Sequence, residues 1–201
     1  MRAYRPWTAL FALLLLAACD EAEVAAPPAP MQLTRDAIGY YCNMTVIDHP
    51  GPKGQIFVKG QDRPVWFSSV RDAVAFTMLP GEPKQLSAVY VHDAGRMASW
   101  KAPGDATWIA ATGAHYVIGS RMKGGMGLPE AVPFSDPDRA AAFAARHGGH
   151  VVAWKEIPRG YIINASEDHK GRHDDHGGGH DRQHDGPKQP QAHHDQGQKD
   201  G

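Results

Sequence analysis

The sequence predicts an α+β domain of two ββαβ-like units with antiparallel sheets. Two observations point there. Phe67-Ser68 returns as Phe134-Ser135 and Ala75-Phe76 returns as Ala142-Phe143, both at an offset of 67 positions, so the chain repeats a pattern about half a domain long. Around each copy, short β-type runs bracket one stretch with helical spacing.

The elements follow in order. Strands are expected around Gln55–Val58 and Val65–Phe67. A helix is expected over Ser69–Leu79: Val70, Ala73, Val74 and Thr77 share one face, Ser69 with Asp72 resembles a capping box, and Pro80-Gly81 stops it. A strand at Leu86–His92 completes the first unit. The second unit is expected as strands Thr107–Ala111 and His115–Ile118, helix Asp136–Arg146 and strand His150–Ile157. Pro137 suits a first helical turn and Gly148-Gly149 its end.

Both termini fall outside this domain. Arg2 and Arg5 precede an apolar stretch, Thr8 to Ala18, too short for a membrane span. It ends Leu16-Ala17-Ala18-Cys19, which resembles a bacterial lipoprotein signal over residues 1–18, with Cys19 acylated. Acyl chains would anchor the protein to a membrane surface in the periplasm, and Asp20 resembles an inner-membrane retention signal. Residues 19–31, rich in Ala, Pro and Glu, read as an extended tether with nothing to pack. Residues 32–166 form the domain. From 167 to 201 the sole apolar residue is Ala192, among His169, His173, His176, His180, His184, His193 and His194. That tail cannot offset its ordering entropy, so disorder is expected. Its histidines are either weak sites for divalent metals or merely solubilising.

The chain of 201 residues has a formal net charge of −1. That argues against a nucleic-acid binder, which needs a strongly basic face. Two cysteines are too few for a disulfide scaffold. With Cys19 acylated, Cys42 is the remaining one, and in an exported chain it has no intramolecular disulfide partner.

Cys42 sits in the β-type run Tyr40-Tyr41-Cys42-Asn43-Met44-Thr45-Val46-Ile47. On a strand, Cys42 and Met44 would project to one face, about 7 Å apart at Cα. A thiolate and a thioether are soft ligands that favour Cu(I). Buried Cys and Met are equally ordinary core residues. His49, in the Pro/Gly turn Asp48-His49-Pro50-Gly51, is a third ligand or an exposed loop histidine. Met122 and Met126, in a glycine-rich loop, approach a metal or a partner, or close the core edge.

These residues resemble the NosL family, accessory lipoproteins of nitrous oxide reductase. The resemblance rests on Tyr41-Cys42-Asn43-Met44, His49-Pro50-Gly51-Pro52-Lys53-Gly54-Gln55-Ile56, Val65-Trp66-Phe67, Gly113-Ala114-His115-Tyr116-Val117, Gly125-Met126-Gly127 and Val132-Pro133-Phe134. It spans about Asp36 to Ile157; the histidine-rich tail is not part of it. It implies a periplasmic Cu(I) chaperone without catalytic turnover. Its partners would be nitrous oxide reductase and the membrane-bound complex that helps build the enzyme's catalytic copper centre. It implies two ββαβ units similar to a domain of organomercurial lyase. The family's C-x-M ligands map onto Cys42 and Met44, and Met126, His49 and His115 are candidates for the remaining position.

Two other functions compete. One is a metal-storage or scavenging lipoprotein acting through the tail. The other is an enzyme with Cys42 as nucleophile, which needs an acid or base such as Asp48 or His49 beside the thiol.

Overall fold

A computed structural model describes residues 26–164. The signal segment, Cys19 and the tail histidines lie outside these residues. The elements are β1 (Gly54–Val58), β2 (Val65–Phe67), α1 (Val70–Met78), β3 (Leu86–His92), β4 (Trp108–Ala110), β5 (His115–Ile118), β6 (Val132–Phe134), α2 (Pro137–His147), β7 (His150–Ala153) and α3 (Arg159–Ile163). Two antiparallel sheets form, in the orders β2-β1-β3-β4 and β6-β5-β7. Among the described residues no helix is long and apolar enough to cross a membrane.

The α+β class and the two ββαβ units stand, but the second unit is composed differently from the expectation. It is β5-β6-α2-β7, with β5 central just as β1 is central in β2-β1-β3. The run expected over Thr107–Ala111 is β4, which pairs with β3 in the first sheet, Val91 opposite Ile109. A 3-10 turn at Ala111–Gly113 then leads the chain from one sheet to the other. The strand missed by the sequence reading is β6, interrupted by Pro133. Proline cannot donate to a ladder and is confined to edges, and β6 is an edge strand. The strand expected to reach Ile157 ends at Ala153, because the Glu156 carboxylate accepts the Ala153 N–H at 2.8 Å and folds Trp154–Glu156 into a 3-10 turn.

Local chemistry sets the helix ends. Ser69 Oγ accepts the Asp72 N–H at 3.1 Å. The Asp136 side chain accepts from Asp138 and Arg139, with Pro137 in the first turn and Gly148 at the cap. The largest apolar cluster joins the two units: Val70 and Val74 of α1, Val91 of β3, Tyr116 and Ile118 of β5, and Ile162 of α3. Removing a side chain as large as Phe67 or Phe76, both buried where α1 packs on the first sheet, costs roughly 3–5 kcal/mol in such packing.

The end of the stretch read as a free tether is in fact held. Tyr90 donates its hydroxyl to the Pro28 carbonyl at 2.7 Å. The buried Gln55 amide donates to the Met31 carbonyl and accepts the Met31 N–H, both at 2.9 Å. A glutamine amide mimics a peptide, so β1 captures an extended segment without a ladder.

Candidate functional site

Residues 38–45 form a turn rather than the strand expected for Tyr40–Ile47. Ile38 and Thr45 make an isolated antiparallel bridge. Inside it the Gly39 N–H donates to Met44 O at 2.9 Å and the Asn43 N–H to Gly39 O at 2.8 Å. Asn43 takes the left-handed conformation, φ 53°, which asparagine tolerates better than most residues. Cys42 and Met44 therefore do not share a strand face. The thiol is free and half-buried near the apex, its Sγ 4.0 Å from Met44 O. Gly39 makes room for it: a Cβ there would lie 2.5 Å from the sulfur.

A clasp holds this turn from outside. Tyr40 and Tyr41 donate their hydroxyls to the two oxygens of Glu82, at 3.1 and 2.9 Å. Both rings pack on Phe67, and Tyr40 also meets Phe76. The hydrogen bond to Glu82 and its charge push the Tyr40 phenol up. Burial, then the same carboxylate, raises Tyr41.

His49 lies downstream, half-buried, with Nδ1 3.1 Å from the Gly125 carbonyl oxygen. The loop carrying Met126 thus meets the Cys42 segment at His49. This loop lies flat. A Cβ on Gly124 would be 2.2 Å from Glu130 Oε2, and one on Gly125 would be 2.4 Å from Ser68 O and 3.0 Å from the His49 Cβ. Beneath it Lys53, fully buried, donates to the carbonyls of His49 (2.7 Å), Pro50 (2.9 Å), Gly51 (2.8 Å) and Ser68 (3.3 Å). Burial pulls Lys53 down to about 8, opposed by the charges of Glu130 and Cys42. Glu130, also fully buried, is pushed up to about 8 by burial although it accepts the backbone N–H groups of Arg71 (2.8 Å) and Ala131 (2.9 Å).

Met44 and Met126 are 43% and 44% exposed. Neither thioether is spent on the core, and exposed methionine suits a ligand or contact role more than packing. Met122 instead packs against the cluster of Val132, Phe134 and Phe143, which is the core-edge role. His115 starts β5 in the other sheet, opposite Phe134 and Ala153, on none of the segments that meet at His49. Among the described residues no group of three or more His, Cys, Asp and Glu side chains is placed to hold a metal ion. What the turn and the loop offer is sulfur, a soft donor set.

Gly39, Glu82 and Glu130 carry no signal in the sequence, and Lys53 stands there only as one member of a motif. For Lys53 there was a signal: a lysine between Pro52 and Gly54, entering an apolar strand, has backbone carbonyls on every side. Glu82 is 40 or more positions from its tyrosines, and no local pattern links them.

The NosL family model matches residues 30–162. The chain is 46% identical over 157 residues to the copper-binding lipoprotein NosL of Achromobacter cycloclastes, covering 78% of this chain and 81% of that one. It is 37% identical over 136 residues to the copper-binding lipoprotein NosL of Stutzerimonas stutzeri, covering 67% and 70%. The crystal structure of the copper chaperone NosL from Shewanella denitrificans superposes with a TM-score of 0.62 at 32% identity, covering 66% of this chain and 98% of that one. A match over nearly all of the described residues, carried by both sequence and fold, makes the chain a member of the NosL family.

Proposed function

We propose that the protein is a periplasmic copper carrier that binds Cu(I) through Cys42 and Met44, with Met126 as the third sulfur. Copper is its cargo. The observation that supports this most is a free thiol at a turn apex together with two thioethers, Met44 and Met126, left 43% and 44% exposed. Soft sulfur at low coordination number lets an acceptor ligand attack as a donor ligand leaves. The relatives named copper-binding lipoproteins and a copper chaperone support the same role. By family resemblance, delivery is to nitrous oxide reductase with its membrane-bound maturation complex, and acylated Cys19 tethers the carrier to the membrane.

We read it as a carrier and not a catalyst because the polar contact of the Cys42 thiol is with neither an acid nor a base. Asp48 pairs with Arg35 at 3.4 Å and His49 with Gly125, while the neighbour of Cys42 Sγ is a carbonyl oxygen.

Competition against a Cu(I) chelator under reducing conditions tests the reading. Deleting residues 167–201 should remove weak divalent sites and leave one Cu(I) site; loss of Cu(I) binding on that deletion would transfer the function to the tail. Cys19→Ser should release the protein into the soluble periplasmic fraction, and its retention on membranes after a high-salt wash would remove the anchor.

A further inference from the structure

We propose that His49 is a positioning residue, a latch that fixes the Met126 loop against the segment that follows the Cys42 turn. The inference rests on the carrier reading above and assigns a role within it.

A carbonyl oxygen can only accept, so the 3.1 Å contact between His49 Nδ1 and Gly125 O requires a proton on Nδ1. Nδ1 is thereby committed to the residue next to Met126. The backbone behind the ring is equally committed, since the buried Lys53 ammonium takes the carbonyls of His49, Pro50 and Gly51 and, fourth, that of Ser68. Ser68 O is the atom against which Gly125 is pressed, and the His49 Cβ is its next contact. One buried cation therefore fixes both surfaces on which Gly125 rests. Met126 follows directly and is exposed, so where Gly125 is held bears on where its sulfur goes. Other anchors hold the same loop: Trp100 donates to Lys123 O at 3.1 Å, the Gly124 N–H to Leu128 O at 2.9 Å, and the Gly127 N–H to Gly124 O at 2.9 Å, closing the turn that contains Met126.

Asparagine and glutamine separate latch from ligand. The amide nitrogen of Asn reaches the position of Nδ1, whereas that of Gln reaches the position of Nε2. In full-length reduced protein competing with a Cu(I) chelator, His49→Gln should weaken Cu(I) binding about 10-fold, the size usual for losing a group that orients a ligand. His49→Asn should bind like the parent. His49→Gln added to Met126→Leu should cost nothing beyond Met126→Leu alone. Equal losses in Asn and Gln variants, or losses of Gln and Leu that multiply, overturn the latch and make His49 a ligand.

A copper-free measurement keeps the two readings apart. In the apo protein, imidazole nitrogen NMR should show a proton on Nδ1. Both variants lose the ring current of the imidazole, so backbone amides 125–127 should move further in His49→Gln than in His49→Asn. If amides 125–127 move no further in His49→Gln than in His49→Asn, the latch is gone whether or not copper binds. If they move further while Cys42→Ala binds Cu(I) like the parent, the latch stands and the carrier reading fails.

Discussion

The turn that carries Cys42 is closed by its own backbone, Gly39 to Met44 and Asn43 to Gly39, and is clasped at the surface by the Tyr40–Glu82–Tyr41 hydrogen bonds. The loop that carries Met126 is seated on buried matter: Glu130 under Gly124, Ser68 and His49 under Gly125, and Lys53 under both supports. A surface clasp exchanges one set of hydrogen bonds for water and is worth little. Close backbone packing in the interior has no such substitute, and an added methyl must displace something. The two segments should therefore fail in different ways: the turn loses chemistry without losing the fold, and the loop loses both.

The largest effect belongs to the turn and is chemical. Cys42→Ala should abolish tight Cu(I) binding, because it removes the one thiolate among the described residues, while the thermal midpoint stays close to the parent's. Met44→Ala should weaken binding without abolishing it, since a neutral thioether contributes less than an anionic thiolate. Chelator competition beside a thermal melt reads both. A Cys42→Ala protein that binds like the parent would place the site elsewhere.

The loop gives the next effect, and it is structural. Gly125→Ala puts a methyl 2.4 Å from the Ser68 carbonyl oxygen, a backbone atom that cannot swing aside. Overpacking of this kind costs about 1–3 kcal/mol, so the urea midpoint should fall and Cu(I) affinity should fall with it. A variant that keeps its midpoint would mean that the loop moves freely, and the contrast between turn and loop would collapse.

Much of this was legible in the sequence, for stated reasons. The first unit announced itself through β-branched runs and a capped helix, and Val65–Phe67 and Leu86–His92 appear with the bounds expected. The repeat at an offset of 67 pointed to a second unit. Its composition differs from the expectation because Pro133 masks β6 and because β4 pairs in the other sheet, a long-range choice that no local pattern records. At the site, the residue types Cys42, Met44 and Met126 were visible, but the geometry was not. Asn43 at positive φ turns the supposed strand into a turn. The parts that hold the site together are pairings over 15 to 76 positions, Lys53 with Ser68 and His49 with Gly125. Such contacts depend on the fold and leave no spacing to read.

A smaller effect probes the floor of the loop through pH. Glu130 is pushed up to about 8, from an ordinary 4.5, by burial. The folded state therefore keeps a proton that the unfolded chain sheds, and stability falls as pH rises from about 4.5 to about 8. Lys53, pulled down to about 8, acts in another window: it costs stability as pH falls from its ordinary 10.5 toward about 8 and adds no slope below that. Glu130→Gln keeps an acceptor for Arg71 and Ala131 and removes the titration. The advantage of the variant in urea midpoint should therefore grow between pH 5 and 8 and level off above. A constant advantage across that range would show Glu130 ionised in the fold.

The smallest effect tests the clasp. Glu82→Gln retains one acceptor oxygen for the two tyrosine hydroxyls and removes the negative charge between them. The pairs lie at the exposed surface, so stability should hardly change. The phenols should report the change unequally. Tyr40 is raised first by its hydrogen bond to Glu82 and then by that charge, so its ionisation should move back toward 10 in the variant. Tyr41 is raised first by burial, so most of its shift should persist. Ultraviolet titration of each single Tyr→Phe variant in the Glu82→Gln background separates the two rings. Because Gly39, Asn43 and Met44 close the turn through their own backbone, Cu(I) affinity should stay near the parent's. A large drop in affinity would mean that the clasp, and not the backbone, sets the direction of the Cys42 thiol, and the turn would then depend on remote support as much as the loop does.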